Sequence, residues 1–274
     1  MSAISKKNTV PAFVVDAFTS ELFRGNPAAV VVLTHPASEQ WMQQVAAEFN
    51  LAETAFLVAE ASGRWRLRWF TPTTEVPLCG HATLASAHVL WNELGHVQET
   101  LTFNTRSGDL TATRRDNRIA LDFPATPVSL SSLERDVIES LGLNPVEIAV
   151  TAQDLLIEVD SVREVRLYQP DVEAIERLPW RALMLTARNN GGADAEVDFV
   201  SRFFAPSIGI PEDPVTGAMH CALTPYWAER LGKPQMLAEQ CSARGGLLQL
   251  EHRGTRVILA GEAVTFMRGE LQAC

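Results

Sequence analysis

Residues 68–95, RWFTPTTEVPLCGHATLASAHVLWNELG, and residues 202–232, RFFAPSIGIPEDPVTGAMHCALTPYWAERLG, are two versions of one pattern. Each opens with an arginine, an aromatic residue and a phenylalanine, and reaches a proline at Pro72 or Pro206. Each then runs through a polar, proline-containing loop to a glycine, continues almost without charge, and stops at a second glycine. Gly80 to Gly95 and Gly217 to Gly232 are both fifteen positions apart, with Ala85 matching Ala222 and Leu94 matching Leu231. Only the loops differ, at eight positions from Pro72 to Gly80 and eleven from Pro206 to Gly217. Matched order and spacing point to a duplicated strand-loop-helix unit.

The stretches GHATLASAHVLW (80–91) and GAMHCALTPYW (217–227) contain no charged residue. A helix without a polar face is buried all round, and Gly95 and Gly232 suit left-handed caps at the helix ends. Pro225 removes one donor inside the second helix, so a bend is expected there. The surrounding sequence reads mostly as short strands: 13–18, 28–33, 54–58, 65–70, 101–103, 110–113 and 119–123, then 148–150, 155–159, 164–167, 183–187, 197–204, 246–250, 257–260 and 263–266. Residues 39–49 instead carry Trp41, Met42, Val45, Ala46 and Phe49 on one face of an amphipathic helix. A further helix is expected over 133–141, with Ser131 and Glu134 at capping-box spacing and Gly142 beyond its end.

The predicted fold is therefore α+β, with two pseudo-symmetric halves, each a curved, mostly antiparallel sheet wrapped around a central buried helix. Residues 1–122 hold helix 80–94 and residues 123–274 hold helix 217–231. The proline-rich segment 123–127 is the crossing point, and the last strand is free to return to the first half.

Composition narrows the function. With 274 residues, 46% of them hydrophobic, the chain has material for real cores. Its longest apolar run, 28–33, is far short of the roughly twenty residues of a membrane-spanning helix. The opening MSAISKKNTVPAF lacks the apolar stretch of a secretory signal, so a cytoplasmic location is expected. Lys and Arg total 23 against 33 Asp and Glu, a formal charge of −10 that repels nucleic acid. Cys79, Cys221, Cys241 and Cys274 form no CxxC pair, and no disulfide is expected. Cys79-x-His81 lacks a second ligand pair, and His220 and Cys221 fall in the charge-free helix, so no metal is predicted.

Four segments, GNPAAVVVL (25–33), NLAETAFL (50–57), FTPTTEVPLCGHATLASAHVL (70–90) and PEDPVTGAMHCAL (211–223), together resemble the PhzF, or phenazine biosynthesis-like, family. The resemblance runs from about residue 13 to 260 and implies the diaminopimelate epimerase-like fold, with the active site between two α+β halves. It also implies a homodimer and a cofactor-independent enzyme. Glu53 matches the family's proposed catalytic acid/base, Gly80 and His81 its first substrate-contact motif, and Asp213 and Gly217 its second. Ala218 stands where the phenazine enzyme has a serine, which argues against the phenazine precursor as substrate.

The residues themselves support such a role. A carboxyl group partly buried at Glu53 would be displaced toward a working acid/base. A helix start at Gly80, His81 and Ala82, and another at Gly217, Ala218 and Met219, offer N–H donors to an anion. Two facing starts would make a cradle for a carboxylate. Asp213 either makes an Asx turn or binds a substrate amine or hydroxyl. The expected function is proton movement within a small carboxylate-bearing metabolite, with Glu53, His81 and Asp213 as catalytic residues. The rival readings are a two-base amino-acid racemase and a non-catalytic small-molecule binder.

Overall fold

A computed structural model of the chain describes residues 9–131, 138, 141–191 and 196–272. Apart from 138 and 141, the helix expected over 133–141 lies outside the described residues. The chain divides into two compact units, Met1–Leu121 with Gly261–Cys274, and Asp122–Ala260.

In the first unit the strands are β1 (Thr9–Ala17), β2 (Asn26–Leu33), β3 (Glu53–Ala59), β4 (Trp65–Phe70), the short β5 (Glu75–Val76), β6 (Thr100–Thr105), β7 (Gly108–Arg115) and β8 (Arg118–Pro124). A later strand, Ala263–Gln272, pairs antiparallel with β1. The pairing along the sheet is β1–β2 antiparallel, β2–β3 parallel, β3–β4 antiparallel, β4–β6 parallel, then β6–β7 and β7–β8 antiparallel. Helix α1 (Glu39–Phe49) forms the β2–β3 crossover, capped by the Ser38 hydroxyl, and sets Met42 and Ala46 against Val31, Phe56 and Phe70. Helix α2 (Gly80–His88) packs against β1, β2 and β3 with His81 through His88 all buried.

Apart from β5, the second unit repeats this order among the described residues. After the short β9 (Ser129–Leu130) come β10 (Pro145–Val150), β11 (Asp154–Val159), β12 (Ala182–Arg188), β13 (Phe199–Phe204), β14 (Gln235–Gln240), β15 (Gly246–Arg253) and β16 (Arg256–Gly261). Pairing is again antiparallel, parallel, antiparallel, parallel, antiparallel and antiparallel from β10 to β16. The β11–β12 crossover carries two short helices, α3 (Val162–Leu167) and α4 (Val172–Glu176), which bury Val165 and Ile175. Helix α5 (Gly217–Leu231) packs against β14 and β15. Trp227 on α5 is almost wholly buried and stacks on Phe199 at 5.5 Å. Full burial of a large apolar side chain such as Phe199 stabilises by about 1.5–3 kcal/mol.

Two expectations change. The helix expected over 80–94 is α-helical only to His88; Val89–Glu93 is a π-helical turn closed by Leu94 N–H donating to the Val89 carbonyl at 3.0 Å. Gly95 follows it with φ +71°, and Gly232 ends α5 with φ +67°. Residues 164–167, read as strand, belong to α3, because the Ser161 hydroxyl accepts from Glu164 N–H and starts a helix there. Strand β14 and helix α4 were not anticipated from the sequence.

Candidate active site

Glu53 opens β3, brought beside the start of β2 by the parallel pairing of Ala28 with Glu53. Cys79 is the N-cap of α2 and His81 its second residue. The fold brings Glu53 and His81 together, with Glu53 Oε2 3.3 Å from His81 Nε2. Their alignment falls short of a hydrogen bond, and Nε2 has no hydrogen-bond partner. On the other edge of the ring, Asn26 Nδ2 lies 3.3 Å and Cys79 Sγ 3.5 Å from Nδ1. An amide nitrogen only donates, so Nδ1 accepts and the neutral ring carries its proton on Nε2, the nitrogen facing Glu53. Burial pushes the His81 imidazole down to about 3, which keeps it neutral near pH 7.

Asn26 is the residue that sequence reading missed here. Gly25, in the left-handed region at φ +64°, has its Cβ direction filled by the Ala17 carbonyl oxygen, so only glycine fits. The turn it makes delivers the buried Asn26 to the first position of β2.

In the second unit, Asp213 is buried at the end of a loop fixed along its backbone. Asp213 N–H donates to Phe203 O at 3.0 Å, and Ser242 Oγ donates to Pro214 O at 2.8 Å. The wholly buried Gln240 side chain spans the same loop, with Nε2 donating to Asp213 O at 2.7 Å and Oε1 accepting from Thr216 N–H at 2.7 Å. Thr216 is the N-cap of α5, yet its hydroxyl does not cap the helix. It donates to Asp213 Oδ2 at 2.5 Å and accepts from Gln240 Nε2 at 3.1 Å.

Cys79 and Thr216, aligned by the repeat, are thus both N-caps without a capping hydrogen bond. The first-turn N–H groups at Gly80, His81 and Ala82, and at Gly217, Ala218 and Met219, therefore lack the usual side-chain acceptor, and each helix dipole adds positive potential there. Ala218 is exposed, while Ala82, Gly217 and Met219 are buried. His220 takes no part: its Nδ1 donates to Thr216 O at 2.8 Å and its Nε2 meets Ser201 Oγ at 3.4 Å, as in a satisfied core histidine. Among the described His, Cys and acidic residues, Glu53, Cys79 and His81 are the group whose ligand atoms lie close enough to share a metal ion, all within 4.8 Å of one another.

Comparison with known proteins agrees with the fold. The sequence profile described as phenazine biosynthesis-like protein (PhzC-PhzF) matches residues 15–269. An uncharacterized isomerase of Pseudomonas aeruginosa is 48% identical over 94% of this chain and 97% of its own, and another from Halalkalibacterium halodurans is 47% identical over 96% and 98%. The crystal structure of a PhzF-family phenazine biosynthesis protein from Enterococcus faecalis superposes with a TM-score of 0.91, at 41% identity, over 97% of this chain and 100% of that one.

Proposed function

Since the chain belongs to the phenazine biosynthesis-like family and is an isomerase, we propose that it moves a proton within a small carboxylate-bearing metabolite, with Glu53 as the general acid/base. The observation that carries this reading is the Glu53–His81 pair. A carboxylate faces, at 3.3 Å, the protonated nitrogen of a buried neutral imidazole that is not hydrogen-bonded there. Glu53 takes the proton from carbon and returns it to another position, while His81 Nε2–H donates to the oxygen on which negative charge develops. Asp213, whose Oδ2 receives the Thr216 hydroxyl, is held as an acceptor for a substrate amine or hydroxyl. The N–H groups of Gly80 and Ala82 at the start of α2 offer donors to the substrate carboxylate, and those of Gly217, Ala218 and Met219 at the start of α5 are likewise donors for an anion.

On this reading every proton stays on substrate, side chain or solvent, and the reaction needs no cofactor. The acidic chain acts on a metabolite of the cytoplasm as a homodimer. The two-thiol racemase is disfavoured because burial pushes both Cys221 and Cys241 up to about 12, leaving neither as a thiolate base near neutral pH. Solvent deuterium uptake, screened over amino acid, hydroxy acid and cyclohexadiene carboxylate pools, tests the proposal. Incorporation at one carbon with isomerised product is the expected result. Saturable binding of a pool member without any incorporation would establish a binding protein instead.

A further inference from the structure

Glu53, Cys79 and His81 reach one place from the first residue of β3, the N-cap of α2 and the second residue of α2. Glu53 Oε2 is 3.3 Å from His81 Nε2, Cys79 Sγ is 3.5 Å from His81 Nδ1, and one ligand atom from each residue lies within 4.8 Å of the other two. Carboxylate oxygen, imidazole nitrogen and thiolate sulfur are the ligand types that zinc takes, at about 2.0–2.3 Å from the ion. Tetrahedral geometry then sets the ligand atoms about 3.3–3.8 Å apart. Side-chain adjustments of about an ångström, with the ring turning one nitrogen toward both neighbours, bring this trio to that spacing. The missing partner of the Cys79-x-His81 motif is supplied by a different strand, which no local spacing could reveal.

We propose that these three residues form an inhibitory site for Zn²⁺. The inference rests on the reading of Glu53 as the acid/base. As the ion binds, the Cys79 thiol gives its proton to solvent and a Zn–S bond forms, with no change of oxidation state. Three protein ligands leave the fourth position to water. A Glu53 carboxylate donating its lone pair to zinc no longer collects a proton from carbon, and His81 is held away from the substrate oxygen, so the bound ion stops the reaction. The sulfur and nitrogen ligands select a soft or borderline ion, and Mg²⁺ and Ca²⁺ do not compete for the site.

Cd²⁺ is the probe, because its bond to a thiolate produces an ultraviolet charge-transfer band that needs no substrate. Titration of the chelator-treated full chain should give one equivalent of band, displaced by Zn²⁺ and untouched by Mg²⁺. Cys79→Ser should abolish the band, and Glu53→Gln and His81→Gln should each weaken Cd²⁺ binding at least tenfold, with thermal unfolding used to confirm that each variant folds. Absence of the band from the wild-type chain overturns the proposal, as does a band that survives Cys79→Ser but disappears in Cys241→Ser. The readout also separates this inference from the functional one. A band lost in Cys79→Ser together with full proton exchange in Glu53→Gln keeps the metal site but removes the catalytic role of Glu53, and with it the inhibition through that carboxylate.

Discussion

The backbone N–H of Thr126 donates to the carbonyl oxygen of Cys221 at 3.0 Å, and the residue four positions after Cys221 is Pro225. Within a helix that carbonyl would accept from the N–H of residue 225, which proline lacks. The proline thus frees an acceptor inside a buried helix, and the segment after β8 supplies the donor. Thr126→Pro should destabilise by about 1–3 kcal/mol, the cost of a buried acceptor left unpaired. Pro225→Ala restores the helix's own donor, so the double variant should lose about 1 kcal/mol less than the sum of the two singles. Urea unfolding of the four proteins measures the coupling, and strict additivity would show that the two donors do not share this carbonyl.

Three buried histidines contribute to the loss of stability in acid. Burial pushes His81 down to about 3, and His88 and His220 to about 4, from an ordinary 6.5. The folded values lie below the unfolded one, so on acidification the unfolded chain takes up protons first. Stability from these groups is complete above about pH 6.5 and falls through the window down to pH 3–4, by about 1.4 kcal/mol per unit for each fully neutral ring. His88 lies outside the candidate site, with Nε2 at 2.9 Å from Thr265 Oγ1. His88→Gln should therefore reduce the mean slope of unfolding free energy between pH 6.5 and 5 by about 1 kcal/mol per unit. An unchanged slope would mean that the ring is charged in the folded protein.

The parts of the fold legible in the sequence are those whose signal is local. Helix α1 shows an apolar face and a serine cap, and α5 is bounded by Gly217 and Gly232. Helix α3 was misread because Val162, Val165 and Leu167 look like strand, although Ser161 and Glu164 stand at capping distance; in so short a helix the cap decides. Strand β14 escaped because its inward positions are Met236, Ala238 and Gln240, and a buried glutamine breaks the apolar alternation. The site shows the same division. Glu53, His81 and Asp213 lie in motifs, whereas Asn26 and Gln240 gain their importance only from what the sheet places opposite them.

Gln240 should be costly to replace. Its amide satisfies the Thr216 N–H, the Asp213 carbonyl and the Thr216 hydroxyl oxygen, all within a buried loop. Gln240→Leu leaves at least the first two unpaired, at about 1–3 kcal/mol per group. Gln240→Glu keeps the acceptor for Thr216 N–H but loses the donor, and should cost less than leucine. Denaturant midpoints compare them, and a leucine variant as stable as the wild type would show that the loop finds other partners.

The last expectation separates two proton-transfer mechanisms. A two-thiol racemase removes a proton with one thiol and delivers another from the opposite face, so both copies of the repeat must supply a cysteine. Cys79 and Thr216 hold the same N-cap position in the two copies. The Thr216 hydroxyl is far too weak an acid to stand in for a thiol, and its proton is already directed at Asp213 Oδ2. Cys221, a turn further into α5, is pushed up to about 12, so roughly one such thiol in 10⁵ is ionised at pH 7. Glu53 is a single base on a single face, which suits an allylic or keto-enol isomerisation better than racemisation. On the substrate found by deuterium uptake, Glu53→Gln should lower the exchange rate at least the roughly hundredfold typical of general acid–base catalysis, with unfolding unchanged. Cys79→Ser should retain most of the rate. A dead serine variant beside an active glutamine variant would make the thiol the base and remove the carboxylate from the mechanism.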